Sequence, residues 1–290
     1  MFRVFTDTSA NVDVQILKDR RIGLLPFTYH LDGKDYTCTD TSVFDGRAFY
    51  DAMRGGAAVT TSQITPQTYI DCFTPVLQNG EDVLFVSMSS GVSGSYQSAQ
   101  MAREELLEHF PDRTIRLVDT IGASLGEGLL AIRAAELRDA GKSVDETADE
   151  LLCLRHSMCN LFTVDNLKYL RASGRLSRAM TVVGSVLQIK PILQGDKEGK
   201  IISFDRTRGR KKAIQALAEY YDRYVENADT QCIGISHADC ESDADELIAL
   251  LKRNHPPKEI LKVMFEPVTG SHVGPGTLAL FFLGDSGFRE

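Results

Sequence analysis

The chain has 290 residues, 43% of them hydrophobic and 25% charged, with a formal net charge of −8. That length lies at the limit for a single core and predicts two domains, each able to build a full core without metals or disulfides. The acidic balance excludes a broad nucleic-acid-binding surface, which needs cations against phosphates.

Phe2 to Phe5 reads as a strand that ends in Thr6-Asp7-Thr8-Ser9. Leu24 to Leu31 meets Asp32-Gly33, a hairpin signal, and returns through Lys34 to Thr37. Phe44 to Met53 is helical. Thr65-Pro66 starts another helix, with a capping hydroxyl before proline at the first helical position. That helix reaches toward Gln78, and Pro75 is expected to kink or shorten it. Val83-Leu84-Phe85-Val86 has no polar alternation, which marks a strand buried on both faces of a parallel sheet. Helices at 95–110, 125–140 and 145–156 alternate with strands at 114–118 and 160–164, a doubly wound α/β pattern.

The second half changes character. Apolar segments 186–193 and 200–206 flank a turn-like Gln194-Gly195-Asp196-Lys197-Glu198-Gly199. Helices at 210–226 and 241–255 alternate with strands at 231–236 and 259–266. The expected fold is therefore an N-terminal α/β domain with a mostly parallel sheet over 1–163. An α+β domain with a mixed or antiparallel sheet follows over 164–290. Six cysteines contain no Cys-x-x-Cys pair, so no structural zinc site is expected. Met1 runs straight into a strand, and no run approaches the roughly 20 apolar residues of a membrane span. The sequence is read as a soluble cytoplasmic protein with reduced thiols and no cofactor.

In an open parallel sheet, ligands bind beyond the carboxyl ends of the strands. Four hydroxyl-rich segments meet that condition: Thr6-Asp7-Thr8-Ser9, Thr60-Thr61-Ser62-Gln63, the stretch from Ser87 to Ser95, and Asp119-Thr120-Ile121-Gly122. Each alone is explained by ordinary helix capping. Together they indicate an anion site, with Ser93 and Gly94 at a helix N-terminus. A further candidate is His272, read as lying in a loop shaped by Gly270, Gly274, Pro275 and Gly276, just before the apolar run 277–283. No dinucleotide or Walker fingerprint is present. Gly91-Val92-Ser93-Gly94-Ser95 misses the nucleophile elbow at its last position. A carboxylate suits two hydroxyls, a backbone N–H and one imidazole. An esterase or small-acid transferase using Ser93 and His272, with Asp7 or Asp119 orienting the ring, is the alternative.

The chain resembles the DegV family along nearly its whole length. The motifs come in the family's order: Thr6-Asp7-Thr8-Ser9-Ala10, Thr61-Ser62-Gln63, Ser89 to Ala99, and Val118-Asp119-Thr120. Leu167-Lys168-Tyr169-Leu170 with Gly174-Arg175-Leu176 comes next, followed by Lys190-Pro191-Ile192-Leu193, Arg206 to Ala213 and Gly270 to Gly276. The resemblance implies a non-catalytic protein that holds one long-chain fatty acid between two domains and presents it to a separate fatty-acid kinase. Carried over position by position, Thr61, Ser93 and His272 hold the carboxylate, and Ser62 and Gly94 line the same pocket. One departure is that Ile64-Thr65 separates Gln63 from Pro66, where many relatives carry proline directly after the glutamine.

A tail wall is available from Phe162, Leu167, Tyr169, Leu170, Val182, Val183, Val186, Leu187, Ile189, Ile192, Leu193, Met264, Phe265, Leu280 and Phe282, all equally explained as core. On an acidic chain, Arg206, Arg208, Arg210, Lys211 and Lys212 stand out at a helix N-terminus, where positive charge is disfavoured. They are read as a docking patch for the kinase or, transiently, for an anionic membrane surface, with Arg175 a second contributor.

Overall fold

The computed structural model describes residues 1–176 and 188–289. The first sheet is parallel, built from β1 (Phe2–Asp7), β2 (Ile22–Leu25), β6 (Asp82–Ser87) and β7 (Ile115–Asp119) in the order β2-β1-β6-β7. Val83 to Val86 are wholly buried, as a continuous apolar strand covered on both faces requires. One cover is α3 (Pro66–Gln78) packed on α4 (Ser95–His109), and the other is α5 (Leu125–Asp139) packed on α6 (Val144–Leu154). The strand order reverses between β1 and β6, so the segments leaving Asp7 and Ser87 flank a switch-point crevice.

Local chemistry sets these helices. Thr65 Oγ1 accepts the Thr68 N–H at the start of α3, and Ser143 and Glu146 close a reciprocal capping box on α6. Pro75 does not shorten α3, which reaches Gln78. The buried face of Tyr69, Phe73 and Leu77 packs on Phe5 and Phe85, and that packing outweighs one missing backbone bond.

Leu24 to Leu31 is two strands. Pro26-Phe27 separates β2 from β3 (Thr28–Leu31), which joins β4 (Lys34–Thr37) and β5 (Val59–Ser62) in a small antiparallel sheet of order β4-β3-β5. The short helices α1 (Val14–Asp19), α2 (Gly46–Arg54) and α7 (Lys168–Ala172) complete the connections before residue 176.

The third sheet holds β8 (Met158–Thr163), β9 (Ile189–Gly195), β10 (Ile201–Arg208), β11 (Cys232–His237), β12 (Glu259–Met264) and β13 (Leu278–Leu283). Its order is β10-β9-β8-β13-β11-β12, antiparallel except for β11 with β12. The expected boundary at 163 falls too late, because β8 belongs to this sheet. The change of sheet comes at the turn after α6.

One face of the third sheet is covered by α8 (Arg210–Tyr224) and α9 (Glu241–Asn254), which bury Ile192, Leu280 and Phe282 with their own Leu217, Tyr221 and Leu247. The opposite face turns toward the first domain. Strand alternation therefore assigns Ala279 and Phe281, not Leu280 and Phe282, to the space between the domains. Val182, Val183, Val186 and Leu187 lie outside the described residues.

His272 lies in the last turn of a helix, α10 (Pro267–Val273). Glu266 caps it by accepting the Val268 and Thr269 N–H groups, each at 2.6 Å, and Pro267 takes the first position. Gly274, at φ 83°, ends it in a conformation that side-chain-bearing residues rarely adopt.

Candidate functional site

A cavity of about 270 Å³ lies between the switch-point segments of the first sheet and the inner face of the third. Its polar end gathers Thr61, Gln63, Ser93, Gly94, Arg175 and His272, and apolar groups such as Phe162, Leu170, Phe265 and Phe281 form much of the remainder. Its volume is close to the lower bound of about 300–1,000 Å³ usual for small-molecule pockets.

Alternation along β5 decides which hydroxyl enters. Thr61 lines the cavity, and its Oγ1 lies 2.9 Å from His272 Nε2. The neighbouring Ser62 is exposed and points the other way. Its Oγ lies 2.7 Å from His30 Nε2, and His30 Nδ1 meets Asp35 at 2.6 Å. The structure thus brings Thr61, Ser93, Gly94 and His272 together but separates Ser62 from them. Gln63, one further alternation step along, lines the cavity and was not singled out from the sequence.

Ser93 ends the segment between β6 and α4. Its Oγ accepts the Ser95 N–H at 3.2 Å and contacts Ser95 Oγ at 3.1 Å. Gly94 is the N-cap of α4 and provides no side-chain bond to the first turn, which leaves orphan backbone donors at a helix N-terminus beside a hydroxyl. A Cβ at Gly94 would stand 2.3 Å from Gln63 Oε1, so the glycine lets the Gln63 amide pack directly on the N-terminus of α4.

Burial pushes the His272 imidazole down to about 4, and the nearby Arg175 guanidinium adds to the effect, so the ring is neutral at pH 7. Arg175 was read as a docking residue but lines the cavity, half-buried. Its Nε donates to Val92 O and its Nη1 to Ser173 O, which sets a positive charge in the wall of the pocket.

Two of the four hydroxyl-rich segments spend their side chains internally. Thr8 Oγ1 accepts the Phe27 N–H, and Thr120 Oγ1 donates to Ser87 O. Thr6 donates to Glu127 at 2.8 Å, and Ser9 Oγ contacts both Asp7 and Glu127. Ser9 has one hydroxyl proton for two carboxyls, so this buried pair retains a proton. Burial holds Asp7 up at about 6, and burial with the Asp7 charge raises Glu127 well above its ordinary range. Asp119 accepts from Ser90 and from the Ile121 N–H. Neither Asp7 nor Asp119 is bonded to His272, whose bonded partner is Thr61 and not Ser93.

Of the five basic residues of this segment, Arg206, Arg208, Lys211 and Lys212 are exposed. A register shift between Ser203 and Asp205 sets Arg206 and Arg208 opposite Pro191 and Ile189, on the cavity side of the edge strand β10. Arg210 is half-buried and ion-paired with Asp243 at 2.8 Å, which removes it from any free patch.

A family model described as an uncharacterised protein of the DegV family matches residues 1–285. The chain belongs to the DegV family. A DegV domain-containing protein of Clostridium perfringens is 38% identical over 285 residues, covering 98% of each chain. Among solved DegV structures, a fatty-acid-binding family protein from Thermus thermophilus superposes with a TM-score of 0.88 at 28% identity, covering 98% of this chain and 99% of that one. DegV from Bacillus subtilis, a fatty acid binding protein, gives 0.83 at 27% identity, with 98% and 99% covered.

Proposed function

We propose that this DegV protein binds one long-chain fatty acid with its carboxylate at Thr61, Ser93, the Gly94 end of α4 and Arg175. His272 orients Thr61, and the tail runs along the inner face of the third sheet. The observation that carries this reading is the Thr61–His272 contact at the polar end of an otherwise largely apolar cavity. Relatives with the same architecture that are described as fatty-acid binders support it. Burial of a tail is worth about 0.8 kcal/mol per methylene, so about sixteen carbons contribute on the order of 10 kcal/mol before ordering costs. The polar end then supplies orientation and selectivity.

The protein acts as a carrier and not as a hydrolase, a reading supported by the pairing of His272 with Thr61 and of Ser93 with Ser95. A fatty-acid kinase collects the acid at the edge marked by Arg206, Arg208 and Lys211, in the cytoplasm. Among the described residues no helix is long and apolar enough to cross a membrane. Native mass spectrometry of the purified protein, followed by titration of the delipidated form, tests the carrier reading. One fatty acid per chain and a raised melting temperature are expected. Absence of lipid together with an unchanged melting temperature would exclude it.

A further inference from the structure

A second cluster of polar side chains lies outside the cavity, on the outer face of the small antiparallel sheet. β3 is the central strand, and its His30 pairs in register with Asp35 of β4 and Thr60 of β5. Side chains two apart on a strand share a face, so Ser62 stands diagonally across from His30 on that face. Thr28 is the residue directly opposite Ser62. His30 Nδ1 lies 2.6 Å from Asp35 Oδ1, and His30 Nε2 lies 2.7 Å from Ser62 Oγ. Ser62 and Asp35 are exposed, and the His30 side chain between them is 31% exposed.

A neutral imidazole can satisfy both contacts in one way. An ionised carboxylate only accepts, so Asp35 takes the Nδ1 proton and Nε2 is left to accept from the Ser62 hydroxyl. A hydroxyl bonded to a base, with the base oriented by a third group, is the arrangement of an activated nucleophile. Ser93 and His272 lack it, since Ser93 donates to Ser95 and His272 meets Thr61. The three groups sit on three neighbouring strands, so sheet pairing sets their spacing.

We infer that Ser62 is a self-acylating nucleophile that takes small activated acyl donors, with His30 as its general base and Asp35 orienting the ring. Ser62 Oγ bonds to the carbonyl carbon of the donor while its proton passes to His30 Nε2. The bond from that carbon to the leaving group then breaks. The leaving group departs with the bonding pair and collects the proton from Nε2, and an ester on Ser62 remains. The Thr28 hydroxyl, one strand away, is placed to donate to the carbonyl oxygen as charge builds on it. Because Ser62 is exposed, a small acyl donor reaches it without entering the cavity. The inference does not depend on the fatty-acid reading, since Thr61 faces the cavity and Ser62 the outer face.

The test is incubation of the full chain with p-nitrophenyl acetate, following p-nitrophenolate release and mapping the acetyl group by peptide mass spectrometry. One acetyl group per chain is expected, on Ser62. His30→Ala should slow its formation by roughly 100-fold or more, the contribution of a positioned general base. Asp35→Asn should slow it by a smaller factor, because an exposed carboxylate is well screened. A fluorophosphonate probe should label Ser62 with the same dependence on His30. The melting temperature of His30→Ala should match the parent, which separates loss of the base from loss of the fold, and His30→Gln replaces it if it does not. Acetylation confined to lysines, or Ser62 acetylated equally fast without His30, would overturn the inference. Either result leaves the fatty-acid site untouched, because titration with fatty acid reads that site separately.

Discussion

The Thr61 hydroxyl and the His272 imidazole meet at 2.9 Å although 211 positions separate them in the chain. The imidazole is held neutral by burial and by Arg175, so it has one proton to place. With that proton on Nε2, the ring donates to Thr61 Oγ1 and frees the Thr61 proton for a carboxylate. With it on Nδ1, Nε2 would accept the Thr61 proton and the carboxylate would lose a donor. The carrier reading therefore assigns the grip to threonine and the orientation of its hydroxyl to histidine.

Thr61→Val should weaken binding of a fatty acid by roughly 10- to 100-fold, the range for a hydrogen bond to a charged group. His272→Ala should cost less, because it removes the orienting partner and leaves the contact. The double variant should fall short of the product of the two effects, since both changes act on one network. Titration of the acid and its methyl ester distinguishes these effects from a general loss of packing. The ester should bind more weakly to the parent protein and respond little to either change.

The buried titratable groups give the ligand-free protein a pH dependence with a defined sign. Burial raises Glu266 from 4.5 to about 7 and Asp7 from 3.8 to about 6. Between each pair of values the folded chain retains a proton that the unfolded chain has released, so their contribution is lost as pH rises through the folded values. His272 acts oppositely. Its folded value near 4 lies below the ordinary 6.5, so its contribution is complete above 6.5 and is lost as pH falls toward 4. Glu127 is raised as well, and burial lowers His156 and His237 alongside His272; with three raised acids set against these imidazoles, the melting temperature should increase from about pH 7.5 to about pH 5.5. Thermal melts across that range should show a flatter profile for Glu266→Gln and a steeper one for His272→Gln. A melting temperature that falls over the same interval in the parent would contradict this assignment.

Most of the helices and parallel strands were legible because their signals are local. A continuous apolar run in Val83 to Val86 and a threonine before a proline at Thr65-Pro66 each state their element within a few residues. The short elements were not. Val59-Thr60-Thr61-Ser62 is a strand only because β3 pairs with it, and without that pairing nothing indicates that Thr61 faces inward and Ser62 outward. The segment around His272 holds three glycines and a proline and reads as a loop. It is helical because Glu266, buried far from solvent, caps it through tertiary placement against Asn11. Arg175 reads as a surface cation until Val92 O and Ser173 O fix it in the wall.

The separation of Ser62 from Ser93 is open to test. Ser62 is bonded to His30 on the outer face of the small sheet, so Ser62→Ala should leave fatty-acid affinity within about twofold of the parent. Ser93→Ala should lower it by about tenfold or more. A fluorophosphonate probe should leave Ser93 unlabelled, since the His272 ring is engaged by Thr61 and, among the described residues, no carboxylate is bonded to that ring. Stoichiometric labelling of Ser93 that disappears in His272→Ala would restore the esterase alternative.

The basic edge separates binding from delivery. Arg206 and Arg208 are exposed on the cavity side of β10, and neither belongs to the polar end of the cavity. Arg206→Glu with Arg208→Glu should therefore leave fatty-acid affinity unchanged while slowing phosphorylation of the bound acid by a fatty-acid kinase. Charges on the rim of an interface act mainly on the encounter rate, so raising salt to about 0.5 M should slow the parent protein and narrow its advantage over the variant. Arg210→Ala should behave differently. Its partner Asp243 lies on α9, so the change should lower the melting temperature, with delivery affected only as far as folding is. Measuring lipid affinity, melting temperature and phosphorylation rate on the same three proteins separates the outcomes. A kinase rate untouched by the double reversal would remove this edge as the docking surface and leave the fatty-acid site standing.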